Sequence, residues 1–338
     1  MKSLITGGAG FIGCHVARHC AARGQDVVVL DDLSGGYREN LPDGIEFVAG
    51  TITDSGLVDR LFAEHQFEAV YHLAAYAAEG LSHFIRRFNY TNNVIGSINL
   101  INASVNAGTV RRFVFTSSIA VYGTSADLPM TEDTPPSPED SYGIAKLAVE
   151  QELRISREMF GLDYIVFRPH NVYGERQNIG DRYRNVVGIF MNQALLGQPM
   201  TVFGDGTQTR AFTYIDEVAP IISASIDVPA AYNQVFNIGA DRPCSVNALA
   251  AAVAQAMGVP PAIVHTPARR EVQDAYSTHD KLQRVFGVRP ACGLEDGLAR
   301  MARWARQHGA RSSRTFDDIE IARNLPSVWR TSPRSDQP

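Results

Sequence analysis

Thr6–Gly13 reads TGGAGFIG, and few folds accept that run where it stands, after a short apolar stretch (Leu4, Ile5) and before an amphipathic segment, Phe11–Arg23. Strand, tight turn and helix follow in that order. Backbone N–H groups close on a phosphate only where side chains leave room. Glycines at 7, 10 and 13 (equally at 8, 10 and 13) clear the turn, the resting place of a pyrophosphate and the helix–strand contact. A second apolar run, Val27–Leu30, ends on Asp31. A carboxylate there accepts hydrogen bonds from both ribose hydroxyls of a dinucleotide and repels a 2′-phosphate, which predicts NAD rather than NADP.

At 338 residues the chain can bury a full α/β core and carry a second, smaller lobe. The formal net charge is -5 with acids and bases interspersed, so neither nucleic acid nor a membrane surface is an expected partner. The first strand begins next to Met1 and no apolar run approaches the length of a bilayer span, so no signal or transit peptide is expected. Cys14, Cys20, Cys244 and Cys292 form no CxxC pair and have no histidine at ligand spacing. Reduced thiols, no metal and a cytoplasmic setting follow as expectations.

Strands are expected at Ile45–Ala49, Ala69–Ala74, Arg112–Ser118 and Asp163–Arg168, the last halted by Pro169. Helices are expected at Gly56–His65, Asn89–Ala107 and Tyr142–Phe160, with a Pro-rich loop at Pro129–Pro138. This alternation predicts an α/β fold, a Rossmann-type doubly wound parallel sheet with a smaller C-terminal lobe. Ligands of such sheets lie beyond the carboxyl ends of the strands, where Asp31, Ala74, Ser118 and Arg168 all fall. The polar loop Ser34–Gly36 can close over the adenosine side of a cofactor, and Ala74-Ala75 is small enough to pass beside it.

Beyond Asn171 the texture changes. Residues 175–184 are polar and turn-like, Val187–Leu196 and Asp216–Ile226 read as helices, and Gly204–Gly206 as a turn before Arg210–Tyr214. Val235–Gly239 reads as a strand rejoining the first sheet, followed by a helix at Val246–Met257, a strand at Ile263–Thr266 and a helix at Leu294–His308. The expected division is 1–171, with 212–240 rejoining it, against 172–211 and 241–330; a frayed tail occupies 331–338.

Tyr142 and Lys146 stand four apart at a helix start and share a face. A phenol with a pKa near ~10 is a poor base at neutral pH, and an adjacent ammonium favours its phenolate. Lys146 can also hold a nicotinamide ribose hydroxyl. Tyr142 then serves as base or acid for a sugar hydroxyl.

At this point the chain resembles the extended short-chain dehydrogenase/reductases that act on nucleotide sugars. TGGAGFIG, SSIAVYG (117–123), YGIAK (142–146), RPHNVYGE (168–175) and GDGTQTRAFTYIDEV (204–218) stand in that family's order, and the likeness spans residues 1–308. The resemblance implies a catalytic set of Ser118, Tyr142 and Lys146, with Ser118 holding the sugar O4 toward Tyr142. The implied NAD contacts are Gly7, Gly10, Phe11, Ile12, Gly13, Asp31, Asp32, Ser34, Gly35, Thr51, Ile52, Leu73, Ala74, Ala75, Asn92, Tyr142, Lys146 and His170. The implied substrate contacts are Ser118, Tyr142, Asn171, Arg210 and Arg269, the arginines holding a nucleotide diphosphate through fork-shaped bonds, with Arg270 a close rival of Arg269. The lobe of 172–211 and 241–330 would then hold the nucleotide sugar. A homodimer through 89–107 and 142–160 is implied likewise.

Ala120 narrows the chemistry. At this position the resembling dehydratases and uronate decarboxylases carry an acid, and the 3,5-epimerases a cysteine. Alanine moves no proton. What remains is hydride removal from C4, rotation of the 4-keto sugar and hydride return to its other face, a 4-epimerase. The other readings are a dehydratase or decarboxylase of the same family and a non-catalytic NAD- or sugar-binding regulator, which the complete Ser118/Tyr142/Lys146 set opposes.

The chain departs from the family twice. Thr51 stands where an acid usually reads the adenine amine, and Arg269-Arg270-Glu271-Val272 lacks the glycine of the family's RxGE-V pattern. Arg176, Arg182 and Arg184 lie where the hexose C5 substituent is expected. Arg182 or Arg184 reading a carboxylate would make UDP-glucuronate a candidate beside UDP-glucose; pairing with Glu175 or Asp181 is the plainer expectation.

Overall fold

Short β-branched runs become strands in this molecule because both of their faces are covered. The computed structural model describes residues 1–125, 127–288, 291–312 and 315–330, so the expected frayed tail lies outside the described residues. The strands are β1 (Lys2–Thr6), β2 (Asp26–Asp31), β3 (Glu46–Ala49), β4 (Ala69–His72), β5 (Arg112–Thr116), β6 (Tyr164–Pro169), β7 (Val172–Tyr173), β8 (Met200–Phe203), β9 (Thr209–Ala211), β10 (Thr213–Tyr214) and β11 (Gln234–Ile238). Among the described residues, a seven-stranded sheet runs β11-β6-β5-β4-β1-β2-β3, parallel at every pairing.

The period of two sorts the core. Ile5, Val27, Val29, Tyr71 and Val114 pack on one side with α1 (Phe11–Ala22) and the helix Ala219–Ala224. Leu4, Val28, Leu30, Val70, Phe113 and Phe115 pack on the other with α2 (Ser55–His65), α5 (Gly96–Ala107) and α6 (Ser141–Phe160). Each such side chain contributes about 1.5–3 kcal/mol by leaving water. The strand order reverses between β1 and β4, which opens a crevice at their carboxyl ends.

Helix α6 begins where Asp140 Oδ1 accepts from Gly143 N at 2.7 Å and ends on left-handed Gly161. Its Glu150 receives Arg168 of β6 at 2.5 Å and Ser117 Oγ after β5 at 2.5 Å, all three buried. That clamp sets the helix against the sheet, and Arg168, expected at the ligand crevice, is used for it instead.

Three elements differ from expectation. The long helix over Asn89–Ala107 is instead α4 (Arg86–Tyr90), a π-helical turn Thr91–Ile95 and α5; α3 (Glu79–Ser82) precedes them. Asn93 accepts from Tyr76 N at 2.9 Å and donates to Tyr76 O and Asn89 Oδ1 from inside this break, a competing network that periodicity does not reveal. The helix expected at Asp216–Ile226 shrinks to Ala219–Ala224 between two 3-10 turns, because Pro220 fits only in a first turn. Pro169 ends β6 but belongs to it, opposite Ile238.

In the smaller lobe, β8 pairs with Ile263–Thr266 and β9 with Pro243–Ser245 and Asp274–Ala275. The helix Val246–Met257 lies against Val186–Leu195 and Leu294–His308.

Candidate active site

Backbone sterics build one end of the crevice. Gly7 has φ +70°, and a Cβ there would stand 2.6 Å from Ala74 N; a Cβ on Gly13 would stand 2.0 Å from Gly7 O. The turn therefore closes onto the chain leaving β4 and leaves backbone facing the crevice. Asp31 Oδ2 accepts from Ala9 N at 3.0 Å and Oδ1 from Leu33 N at 2.8 Å, so this carboxylate also holds the glycine turn. Burial pushes its pKa up, opposed by those bonds. A carboxylate offers about four acceptor positions, which leaves room for ribose hydroxyls.

A cavity of about 330 Å³ runs from here. It is lined by Gly7, residues 10–13, Asp31, Asp32, Ser34, Gly35, Thr51, Ile52, Leu73, Ala74, Ala75 and Asn92, and also by Ser118, Tyr142, Lys146, Asn171 and Arg184. A glycine cradle, a strand-end carboxylate and an elongated cavity fit NAD. His170 does not line it. That ring is buried, with Nε2 2.9 Å from His279 Nε2, and burial beside His279 pushes its pKa down to about 3. His279 Nδ1 in turn meets Asp241 Oδ1 at 2.5 Å, so His170 joins two loops rather than facing the cofactor crevice.

Ser118, Tyr142 and Lys146 converge at the cavity wall. Lys146 is 2% exposed, donates to Thr116 O at 2.8 Å and lies 4.6 Å from the Phe115 ring centroid and 5.7 Å from that of Tyr142. Burial pushes Lys146 down to about 7, against the pull of Glu150. The Tyr142 phenol is raised by burial first and then by the charge of Glu79, while Ser118 hydrogen-bonded to it opposes both. Ser118 Oγ also accepts from Ala120 N at 3.1 Å, so this serine caps the turn Ile119–Val121 as well.

The arginines divide. Arg184 lines the cavity, paired with Asp181 at 2.6 Å, lying 4.9 Å from the Tyr76 ring and packed on Gly35. Arg182 is outside it, donating to Val328 O. Arg210 also lies outside, donating to Val272 O at 2.6 Å and Gln273 O at 3.0 Å, with Glu271 at 3.6 Å. Arg269 is bound to the same Glu271 at 3.2 Å, and its buried Nε has no partner. Arg270 is surface-exposed near Glu139. Arg184 pairs with Asp181 of its own loop, as expected, whereas the carbonyls that engage Arg182 and Arg210 come from other segments, which motif spacing does not show.

Sequence reasoning missed Glu79. It reaches the cavity from α3, open to that space yet walled by protein, and its side chain makes no hydrogen bond or ion pair among the described residues. Burial raises its pKa against the lowering charges of Arg210 and Arg269. Its signal was a lone carboxylate in the small, apolar AAYAAEG run that leaves β4.

The NAD dependent epimerase/dehydratase family profile matches residues 3–239. The UDP-glucose 4-epimerase of Mycolicibacterium smegmatis is 36% identical over 313 residues, 90% of this chain and 99% of that protein. The crystal structure of the Thermotoga maritima UDP-glucose 4-epimerase with UDP-glucose has a TM-score of 0.87 at 35% identity, covering 91% of this chain and 99% of that one. That of the Bacillus cereus UDP-glucuronic acid 4-epimerase with UDP-glucuronic acid and NAD has a TM-score of 0.83 at 27% identity, covering 91% and 100%.

Proposed function

Since this chain belongs to the NAD-dependent epimerase/dehydratase family, we propose that it inverts C4 of a UDP-linked neutral hexose, the glucose/galactose pair, through a transient 4-keto sugar. It is an NAD-using isomerase of the nucleotide-sugar 4-epimerase kind. The observation that carries the reading is the convergence of Ser118, Tyr142 and Lys146 on the cavity that fits NAD, with Ala120 beside them.

Bound NAD supplies the acceptor and donor of the C4 hydride. Ser118 holds O4, and Tyr142 takes the O4 proton and later gives it back. Lys146 is the chain's own cation beside the phenol, held by Thr116 O. Ala120 offers no group for proton transfer at C5, which opposes a dehydratase or decarboxylase. In this reading residues 1–171 with 212–240 hold NAD, and 172–211 with 241–330 hold the nucleotide sugar, its diphosphate beside Arg269 and the Arg210 strand.

Three observations favour a neutral hexose over a uronate. Arg182 is engaged by Val328 O, Arg184 by Asp181, and Glu79 places a carboxylate in the cavity where a second one would repel it. Incubation with UDP-glucose and UDP-glucuronate, with products identified by NMR, tests this: turnover of the glucuronate alone would overturn it. A homodimer through α5 and α6 also belongs to this reading. Ile95, Ile144 and Ile155 are exposed on or beside those helices, and a monomer in sedimentation would remove that part.

A further inference from the structure

A second cavity, about 620 Å³, adjoins the first: Glu79 lines one and Gly80 the other. Its walls include Phe203, Arg269, Arg270, Arg323, Asn324 and Trp329, and no Asp or Glu among the described residues. One side of it is chain beyond residue 308, past the stretch in which the family's motifs were read. About nine-tenths of this chain accounts for nearly all of the Thermotoga maritima epimerase, so that coverage leaves part of this chain unmatched.

Residues 315–330 cross the lobe as a strap. Phe316 packs on Phe88 at 4.8 Å and Tyr76 at 5.5 Å, both walls of the first cavity. Glu320 accepts from Arg87 N and Phe88 N at 2.9 Å each, capping α4. Trp329, 3% exposed, meets Tyr183 at 5.5 Å and Phe203 at 5.8 Å. The Arg269 guanidinium lies 4.6 Å from the Phe203 ring and 5.7 Å from that of Trp329, with its buried Nε unpartnered. Aromatic faces, three arginines and no carboxylate suit a flat base joined to an anionic diphosphate.

We propose that this strap is part of the nucleotide-binding site: it walls the cavity that takes the base, adding Trp329 as an apolar contact and Asn324 as a hydrogen-bonding one. The inference rests on the nucleotide-sugar reading. With the hexose at Tyr142 and the diphosphate at Arg269, the base falls in the space on the Gly80 side. The strap then contributes to nucleotide choice from outside the family's motifs.

Calorimetry on the NAD-loaded protein tests this, with UDP, dTDP, CDP, ADP and GDP as probes. Wild type binds UDP with preference over the purine diphosphates. Trp329→Ala weakens UDP by about ten-fold and flattens that preference, a loss typical of one base–aromatic contact. In turnover KM rises by the same factor and kcat stays within about three-fold, because the chemistry at Tyr142 is untouched. Asn324 is exposed and left-handed (φ +63°), so Asn324→Gly, which suits that backbone, keeps the melting temperature and NAD content while weakening UDP by about three- to ten-fold. If Trp329→Ala fails to fold, Asn324→Gly decides. Wild-type UDP affinity and preference in the folded variants would overturn the strap proposal alone; no nucleoside diphosphate binding to wild type would overturn the nucleotide-sugar reading with it.

Discussion

At the NAD end of the cavity, Gly7, Gly13 and Ala74 are set by backbone contacts closer than a methyl group allows. In the adjoining cavity, proposed above as the nucleotide end, Arg269 rests on Phe203 and Trp329, side chains from widely separated parts of the chain. The first end is built by excluding atoms over a few consecutive residues; the second is built by bringing side chains together. One tolerates no added carbon, whereas the other can be retuned by single side chains. A family can thus keep its cofactor while its substrates vary.

The largest effect expected is on chemistry common to both ends. Tyr142→Phe loses about 10³-fold or more in turnover while keeping bound NAD and UDP affinity; near-normal turnover would remove Tyr142 from its role. Gly13→Ala then separates the ends. Its methyl meets Gly7 O, so purified protein loses most of its bound NAD, read from absorbance, whereas UDP binding changes by less than about three-fold. Equal loss at both ends would break the comparison.

Lys146 gives an effect of intermediate size in NAD-free protein. Burial lowers it to about 7 from its usual value near 10.5. Between these two values the unfolded chain holds a proton that the folded chain has released, so stability rises with pH across that window. Below 7 both forms are protonated and the burial penalty is complete. Melting temperatures from pH 7 to 10 should climb less steeply in Lys146→Met than in wild type; parallel curves would contradict the buried ammonium. The smallest effect is Arg182→Ala, which removes a bond to Val328 O outside the cavity and should change KM for UDP-glucose by less than about three-fold. A loss confined to UDP-glucuronate would instead restore the uronate reading.

The fold was largely legible because its cause is local. β-branched runs, glycine turns and the Asp140 cap act within a few residues, and the strand order follows from right-handed crossovers. The site was legible where a backbone turn or a helix period places a side chain, as with Asp31 and the Tyr142/Lys146 pair. It was not legible where a distant partner decides. Arg168 was taken by Glu150, His170 by His279, Arg210 by the carbonyls of Val272 and Gln273, and Arg182 by Val328. Glu79 escaped notice because nothing in its own segment binds its side chain.

Proton NMR of UDP-glucose incubated with the purified protein, followed together with absorbance at the NADH band, tests the central claim most directly. The account predicts conversion to UDP-galactose with no added NAD and no net change in the NADH band. A 4-keto-6-deoxy sugar, released CO₂ or net NADH accumulation in place of UDP-galactose would contradict it.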